Sequence, residues 1–182
     1  MYKNGGIKII FLTGCTGTGK STVGKRLARL LGADYADTDI LIEEAEGMPV
    51  SAIFDEYGEA YFRECETRTL EQLAAQSAGT AVMKETGKIL VTATGGGIVL
   101  SGRNRRIMRE SGTVVWLRTE PAEIARRLEG DSTRPLLRGR KLEDKLAEMM
   151  KERTGFYEDC DIQVETDDPE STARRIIDRI DI

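Results

Sequence analysis

The segment that decides the fold is Gly14-Cys15-Thr16-Gly17-Thr18-Gly19-Lys20-Ser21, which matches the pattern G-x-x-x-x-G-K-[ST] at every fixed position. Glycines at these positions let successive backbone N–H groups face an anion, and a helix beginning near Lys20 adds the positive end of its dipole. In this pattern the lysine reaches the β- and γ-phosphates, and the Ser21 hydroxyl ligates Mg²⁺. The motif predicts a nucleoside triphosphate site with the nucleotide-binding residues Gly17, Thr18, Gly19, Lys20, Ser21 and Thr22.

The residues around this motif predict a strand before it and a helix after it. Residues 7–13 form an apolar run that is typical of a buried parallel strand. After Lys20 the apolar residues recur at helical spacing, and Gly32 stands where a C-cap is expected. Further predicted strands alternate with predicted helices, which indicates an α/β fold with a parallel sheet. The strands are expected at 88–92, 113–117 and 162–165, and the helices at 40–46, 50–57, 59–76, 101–110, 121–129, from 142 onward and at 169–180.

Length and charge narrow the class of protein. The chain has 182 residues, enough for one domain spanning 1–182. With 27 basic and 31 acidic residues its formal net charge is −4, which argues against broad attraction to nucleic acid. No apolar run approaches the roughly 20 residues of a membrane-spanning helix. We therefore expect neither a nucleic-acid nor a membrane partner.

The absence of histidine and the spacing of the cysteines exclude several kinds of site. Without histidine the chain has no Ser-His-Asp triad, no Cys-His pair and no imidazole base. Cys15, Cys65 and Cys160 are odd in number and widely spaced, so neither a disulfide framework nor a zinc site is expected. This pattern favours a reducing, cytoplasmic compartment.

Two later segments carry further candidates. Residues 130–141 combine two glycines, a proline and four cations without periodicity, which predicts an exposed, mobile loop. If the tripeptide Asp37-Thr38-Asp39 ends a strand, its two carboxylates point to one face, and one could serve a metal while the other meets an alcohol. The alternative is a helix N-cap with solvated aspartates.

Taken together with the phosphate-loop motif, five segments in order resemble the shikimate kinase family. The resemblance extends from about residue 7 to residue 180. Each segment is weak alone, but their order and spacing are specific. They are Asp37-Thr38-Asp39, Phe62-Arg63-Glu64-Cys65-Glu66, Gly95-Gly96-Gly97, Arg134-Pro135-Leu136-Leu137, and Arg153 before Tyr157.

The resemblance implies a fold and a reaction. The fold would be a P-loop kinase fold, a five-stranded parallel sheet flanked by helices as in nucleoside monophosphate kinases, with a mobile lid at about 130–141. The reaction would be transfer of the γ-phosphoryl group of ATP to the 3-hydroxyl of shikimate, a step in aromatic amino acid biosynthesis. ATP and shikimate would be the partners, with one Mg²⁺ ion, and the enzyme would act as a monomer.

For the acceptor, the resemblance implies the following roles. Asp39 contacts the reacting hydroxyl, while Arg63 and Arg153 bind the shikimate carboxylate. The glycine turn, residues 95–97, lets the backbone approach the substrate, with Gly95, Gly96 and Gly97 as substrate-binding residues. Such roles suit phosphoryl transfer, because positioning and charge neutralisation dominate its catalysis.

For the donor, the resemblance implies that Arg134 comes down with the lid onto the phosphates and that Arg127 lies beside the adenine. Asp37 would orient a water on Mg²⁺, so that Ser21 and Asp37 form the metal site. The catalytic residues would be Lys20, Asp39 and Arg134.

Several of these residues also have purely structural explanations. Arg63 could be a surface ion-pair partner of Glu66, and Arg153 could interact with a helix dipole. Arg126 is an alternative to Arg127. Phe54 and Phe62 could line the acceptor pocket or pack in the core, and Gly155 stands where the family usually has proline.

Two other functions compete with this hypothesis. One is a kinase for a different small acceptor, such as gluconate or a nucleoside monophosphate, which would leave the paired arginines unexplained. The other is a nucleotide-binding regulatory protein without turnover, which would be expected to have lost Lys20, Asp37, Asp39 or Arg134.

Overall fold

Five parallel strands form one sheet in the order β2-β3-β1-β4-β5. The computed structural model describes residues 8–77, 89–128 and 142–180. The parallel α/β fold and the five-stranded sheet are thereby confirmed, and each predicted strand is present. The strands are β1 Lys8–Thr13, β2 Asp34–Asp37, β3 Ile89–Ala93, β4 Gly112–Arg118 and β5 Ile162–Glu165.

Helices connect these strands and lie on both faces of the sheet. The predicted break between two helices near residue 58 is confirmed, because Gly58 interrupts α3 with φ 79° and ψ 172°. A short 3₁₀ helix, Ile98–Leu100, follows the glycine turn. The helices are α1 Lys20–Leu31, α2 Thr38–Glu46, α3 Val50–Ser77, α4 Gly102–Ser111, α5 Pro121–Leu128, α6 Leu142–Tyr157 and α7 Pro169–Ile177.

The central strand β1 is apolar from Ile9 to Leu12 because this stretch faces a core on each side. Ile9 and Phe11 belong to one core cluster, which includes residues of α3, α4 and α6. Ile10 and Leu12 belong to the other, which includes residues of α1 and α7. This alternation follows from the two-residue repeat of a strand. The sheet is therefore a rigid layer, and the loops at the carboxyl ends of its strands are held from both faces.

Some expectations fall outside the residues that the structure describes. The predicted loop at 130–141 and its Arg134 lie there. Within the described ranges, Cys15, Cys65 and Cys160 are not joined by a disulfide. None of the helices in those ranges is both long enough and apolar enough to span a bilayer.

Two glycines offer a matched test of this packing. A side chain at Gly112, where β4 pairs with β1, would meet the Ile9 carbonyl oxygen and come within 2.9 Å of Phe11 Cε2. A side chain at Gly155, within α6, would meet nothing within 4 Å.

We expect Gly112→Ala to lower the free energy of unfolding by about 1 to 3 kcal/mol, because the backbone of β1 cannot move aside cheaply. Gly155→Ala should raise it by about 0.5 to 1 kcal/mol, since alanine restricts the unfolded chain and favours a helix. Urea denaturation of both variants measures the two values. Equal effects at the two positions would contradict this account.

Candidate active site

The phosphate loop, residues 14–19, joins the end of β1 to the start of α1. Gly14, Gly17 and Gly19 all have φ in the left-handed region, between 79° and 144°. At Gly17 space is also limiting, because a Cβ would lie 2.8 Å from Ile124 Cγ2 and 2.9 Å from Leu128 Cδ1. The loop therefore packs tightly on α5, and it leads into the N-terminus of α1, where the helix dipole favours an anion.

The side chains of the phosphate loop hold its shape. Lys20 Nζ donates hydrogen bonds of 2.8 Å to the carbonyl oxygens of Gly14 and Cys15, so its ammonium group lies across the loop. The buried Thr18 hydroxyl donates to the Cys15 carbonyl at 2.9 Å. Thr22 lies exposed in the first turn of α1. The predicted nucleotide-binding residues from Gly17 to Thr22 thus occupy one loop and helix start.

Ser21 and Asp37, two side chains whose oxygens can bind a metal ion, lie directly beside this loop. The Ser21 hydroxyl donates to Asp37 Oδ2 at 2.8 Å, and the Tyr35 hydroxyl donates to the same oxygen at 3.2 Å. Burial and the neighbouring Asp37 charge raise the pKa of Tyr35 to about 12, so the phenol stays protonated and donates. The two predicted metal residues are therefore adjacent. Hydroxyl and carboxylate oxygens are the donors that Mg²⁺ prefers.

The expected geometry of the two aspartates was wrong in one respect. Asp37 ends β2, but Thr38 already begins α2, so the carboxylates do not share the face of a strand. Asp37 is the N-cap of α2, and its Oδ1 accepts from the Asp39 backbone N–H at 3.1 Å. The N-cap part of the alternative is therefore confirmed, but its solvated aspartates are not, because Asp37 Oδ2 accepts from Ser21 and Tyr35 and Asp39 Oδ1 is buried. The helix start turns the Asp39 side chain toward a different neighbour.

That neighbour is the glycine turn. A Cβ at Gly95 would lie 2.7 Å from Asp39 Oδ1 and 2.9 Å from Glu66 Oε1, so both carboxylates approach the same point. The Gly95 backbone N–H donates to the Thr38 hydroxyl at 2.9 Å. Glu66 is fully buried, and no hydrogen-bond partner for its Oε1 is found among the described residues. From the sequence, Glu66 was considered only as a partner of Arg63.

Arg63 forms the ion pair with Glu66 that the sequence offered as an alternative, and it also lies beside the glycine turn. Its guanidinium pairs with Glu66 at 2.8 Å and with Glu59 at 2.8 Å along α3. The same group lies against the glycine turn, where a Cβ at Gly97 would come within 2.6 Å of Nη2. The ion pair is therefore present, and it aims the guanidinium at the turn.

Arg153 lies near the glycine turn because it hydrogen-bonds to Tyr157 on the same helix, α6, and Tyr157 contacts the turn. The Tyr157 hydroxyl donates to the Gly96 carbonyl at 2.6 Å, and its ring stacks on the buried Trp116. Burial raises the pKa of Tyr157 and the Cys15 thiol adds to the rise, whereas the charges of Arg153 and Arg63 oppose it. Both arginines therefore reach the surroundings of this hydroxyl. In the sequence, Tyr157 only marked the position of a motif, and no role was predicted for it.

The glycine turn itself packs on the phosphate loop. A Cβ at Gly96 would lie 3.1 Å from the Thr16 backbone nitrogen, closer than nine in ten Cβ contacts. Asp39, Arg63 and Arg153 therefore gather around a turn that touches the phosphate loop.

The two neighbouring arginines of α5 have different surroundings. Arg127 Nη1 donates to the Thr18 carbonyl at 3.3 Å, and its Nε pairs with Glu123 at 2.7 Å. The Arg126 side chain is 71% exposed and pairs with the same glutamate. Arg127 therefore lies against the phosphate loop, and its place beside the adenine stays a prediction.

Phe54 and Phe62 belong to an apolar cluster between α2 and α3. Their ring centroids lie 4.7 Å apart, and Phe62 packs with the buried Ile42, Ile53 and Cys65. Phe62 is buried and Phe54 is partly buried. The core-packing alternative therefore describes Phe62.

The buried carboxyl group of Glu66 makes the stability of the fold depend on pH. Burial and the Asp39 charge raise the pKa of Glu66 to about 7, and burial is the larger cause although Arg63 acts in the opposite direction. In an unfolded chain this pKa is about 4.3. Between these values the folded state holds a proton that the unfolded state has released, so stability falls as pH rises.

We expect Glu66→Gln to remove this slope, so that the variant gains about 1 to 3 kcal/mol in free energy of unfolding relative to the parent between pH 4.5 and 8. Urea denaturation at four or five pH values measures the difference. Glu71→Gln is the control, because Glu71 lies on α3 like Glu66 but forms an exposed ion pair, with Arg103 of α4. Parallel profiles for Glu66→Gln and the parent would contradict the prediction.

Comparison with known proteins agrees with this arrangement. A family model for shikimate kinase matches residues 16–181. A shikimate kinase of Geobacter sulfurreducens is 43% identical over 157 residues, which cover 86% of this chain and 81% of that protein. One of Moorella thermoacetica is 41% identical over 164 residues, covering 90% and 88%. The structure of the Acinetobacter baumannii shikimate kinase in complex with shikimate matches with a TM-score of 0.83 and 35% identity, covering 94% of this chain and 91% of that one. The chain therefore belongs to the shikimate kinase family.

Proposed function

We propose that this chain transfers the γ-phosphoryl group of ATP to the 3-hydroxyl of shikimate, giving shikimate 3-phosphate and ADP. One observation carries the proposal: a carboxylate and two arginines surround a glycine turn that packs on the phosphate loop. A small acceptor with a carboxylate and a hydroxyl matches these groups, because arginine binds carboxylates and an aspartate accepts a hydrogen bond from a hydroxyl. The family to which the chain belongs carries the same activity in its name.

On the donor side, the phosphate loop holds ATP. Its backbone N–H groups and the start of α1 face the phosphates, and the Lys20 ammonium exchanges its two carbonyl partners for the β- and γ-phosphates. Arg127 lies where it can flank the base, beyond the Thr18 carbonyl. Such a site supplies charge neutralisation without covalent chemistry, which is what phosphoryl transfer requires.

The donor set beside the loop fits one Mg²⁺ ion. Ser21 and Asp37 would hold it, the hydroxyl directly and the carboxylate through a water, with the remaining positions left to phosphates and water. Among the described residues no cluster of three or more acidic or cysteine side chains could hold a metal alone. A site with few protein ligands is typical of Mg²⁺ bound together with a nucleotide. When bound, the ion neutralises charge on the β- and γ-phosphates.

On the acceptor side, Asp39 orients the 3-hydroxyl and accepts its proton, while Arg63 and Arg153 bind the carboxylate. Glu66 and Glu59 hold the Arg63 guanidinium before substrate arrives, so little rotamer freedom remains to be lost on binding. Gly95, Gly96 and Gly97 keep side chains out of this space. Binding energy is thereby used to align the hydroxyl with the γ-phosphate.

The remaining parts of the proposal rest on the sequence. Arg134 as a catalytic arginine and a lid at about 130–141 stay predictions, because both lie outside the described residues. A monomeric state and a cytoplasmic location are also proposed, the latter from three cysteines not joined by a disulfide, which suit a reducing compartment.

A coupled assay of ADP release tests the proposed function. We expect ADP release to depend on shikimate and to stop when Mg²⁺ is chelated. Gluconate and nucleoside monophosphates serve as alternative acceptors in the same assay. Release with one of these and not with shikimate would name a different acceptor, and ATP binding without release for any acceptor would indicate a regulatory protein.

Asp39→Asn tests the acceptor side by itself. We expect loss of at least about a hundredfold in kcat, because an amide cannot take the hydroxyl proton, with ATP affinity retained. ADP release measures kcat, and calorimetric titration with ATP measures affinity. Asp55→Asn, on an exposed side chain of α3, is the matched control. Substantial residual turnover in Asp39→Asn would remove this residue from the mechanism.

A further inference from the structure

A buried amide links the two elements that meet at the acceptor side. Asn104 is fully buried in the first turn of α4. Its Nδ2 donates to the Ile98 carbonyl at 3.2 Å, and its Oδ1 accepts from the Thr67 hydroxyl at 2.7 Å. The amide is therefore hydrogen-bonded on both of its ends, to two different elements.

The local sequence explains how Asn104 comes to lie there. Ser101 is the N-cap of α4, and its hydroxyl oxygen accepts from the Asn104 backbone N–H at 3.3 Å. This cap fixes the start of the helix and directs the Asn104 side chain back over the 3₁₀ helix. A leucine at this position would fill the space but could not bond to either partner.

These contacts close a ring that includes Arg63. Thr67 lies one helical turn after Arg63, and its hydroxyl is also 3.1 Å from the Arg63 carbonyl. On the other side, Ile98 directly follows Gly97, which faces the Arg63 guanidinium. The ring thus runs from the backbone of Arg63 through Thr67 and Asn104 to the glycine turn, and back to the Arg63 side chain.

We propose that Thr67 and Asn104 are positioning residues for recognition of the acceptor's carboxylate. They hold α3 at a fixed register against the glycine turn, and thereby place the Arg63 guanidinium. Apolar packing alone leaves a helix freer to slide, whereas hydrogen bonds have a direction and a buried amide loses stability if either partner is withdrawn. The inference rests on the proposed function, in which Arg63 binds that carboxylate.

Thr67→Val and Thr67→Ser form the principal test. Valine keeps the shape of threonine but removes the hydroxyl, so α3 loses its bond to Asn104. We expect the KM for shikimate to rise about tenfold, because a small misplacement of a binding group weakens alignment, while the KM for ATP changes less than about twofold. Thr67→Ser keeps the hydroxyl and should retain the parent KM for both substrates.

Two further measurements separate positioning from general stability. Thr69→Val makes the same exchange at a buried threonine of α3 and leaves both partners of the Asn104 amide in place, so the KM for shikimate should not change. In an Arg63→Ala background, where the KM for shikimate is already raised, adding Thr67→Val should cause no further rise. Because Asn104→Ala empties a buried site and can unfold the chain, the Thr67 variants carry the test.

The outcomes distinguish this inference from the proposed function. An unchanged KM for shikimate in Thr67→Val, with the parent protein active on shikimate, overturns the inference alone. Equal rises with and without Arg63, or equal rises for ATP and shikimate, also overturn it, because they indicate a general loss of stability. Absence of shikimate-dependent ADP release from the parent protein overturns the proposed function and this inference with it.

Discussion

The close packing of the glycine turn on the phosphate loop is the constraint on which the rest of the site depends. A Cβ at Gly96 would lie 3.1 Å from the Thr16 backbone nitrogen, so a side chain there would push the two backbones apart, and Tyr157 holds the Gly96 carbonyl by a hydrogen bond. The separation of the donor and acceptor sides is therefore set by backbone, which is stiffer than any side-chain contact. Phosphoryl transfer depends on the alignment of two oxygens across the phosphorus, so a fixed separation of this kind is what the reaction needs.

Glu66 and Glu59 hold the Arg63 guanidinium without fully neutralising its positive charge, which therefore stays available to a substrate carboxylate. A fully ionised Glu66 would neutralise much of the guanidinium charge before any substrate arrived. Because burial raises the pKa of Glu66 to about 7, this carboxyl is partly protonated near neutral pH and neutralises less of that charge. Glu59 pairs with Arg63 at the exposed end, where solvent weakens the interaction. The two glutamates therefore orient Arg63 at a smaller electrostatic cost to an incoming carboxylate than two ordinary ion pairs would impose.

The sequence predicts the phosphate loop and the parallel sheet well, because both depend on local patterns: an eight-residue motif and apolar runs between turn signals. It fails at Asp37-Thr38-Asp39, since the tripeptide suits a strand end and an N-cap equally and the boundary falls inside it. Tyr157 and Asn104 could not be assigned positions in the site, because their partners lie 61 and 37 residues away. The convergence of Arg63 and Arg153 was expected from the resemblance alone, and periodicity could not have shown it.

The two sides of the site are held by different kinds of interaction. The phosphate loop packs on α5 and α6 mainly through apolar contacts, although Lys20 and Thr18 form hydrogen bonds within the loop: Gly17 faces Ile124 and Leu128, and Cys15 lies 3.8 Å from the sulfur of Met149. Around the glycine turn the contacts are polar and directional, made by buried carboxylates, amides and hydroxyls. Apolar packing tolerates exchange of similar side chains, whereas a buried polar contact loses its partner when one atom changes. Substitutions among the residues that pack around the site should therefore displace the glycine turn more readily than the phosphate loop.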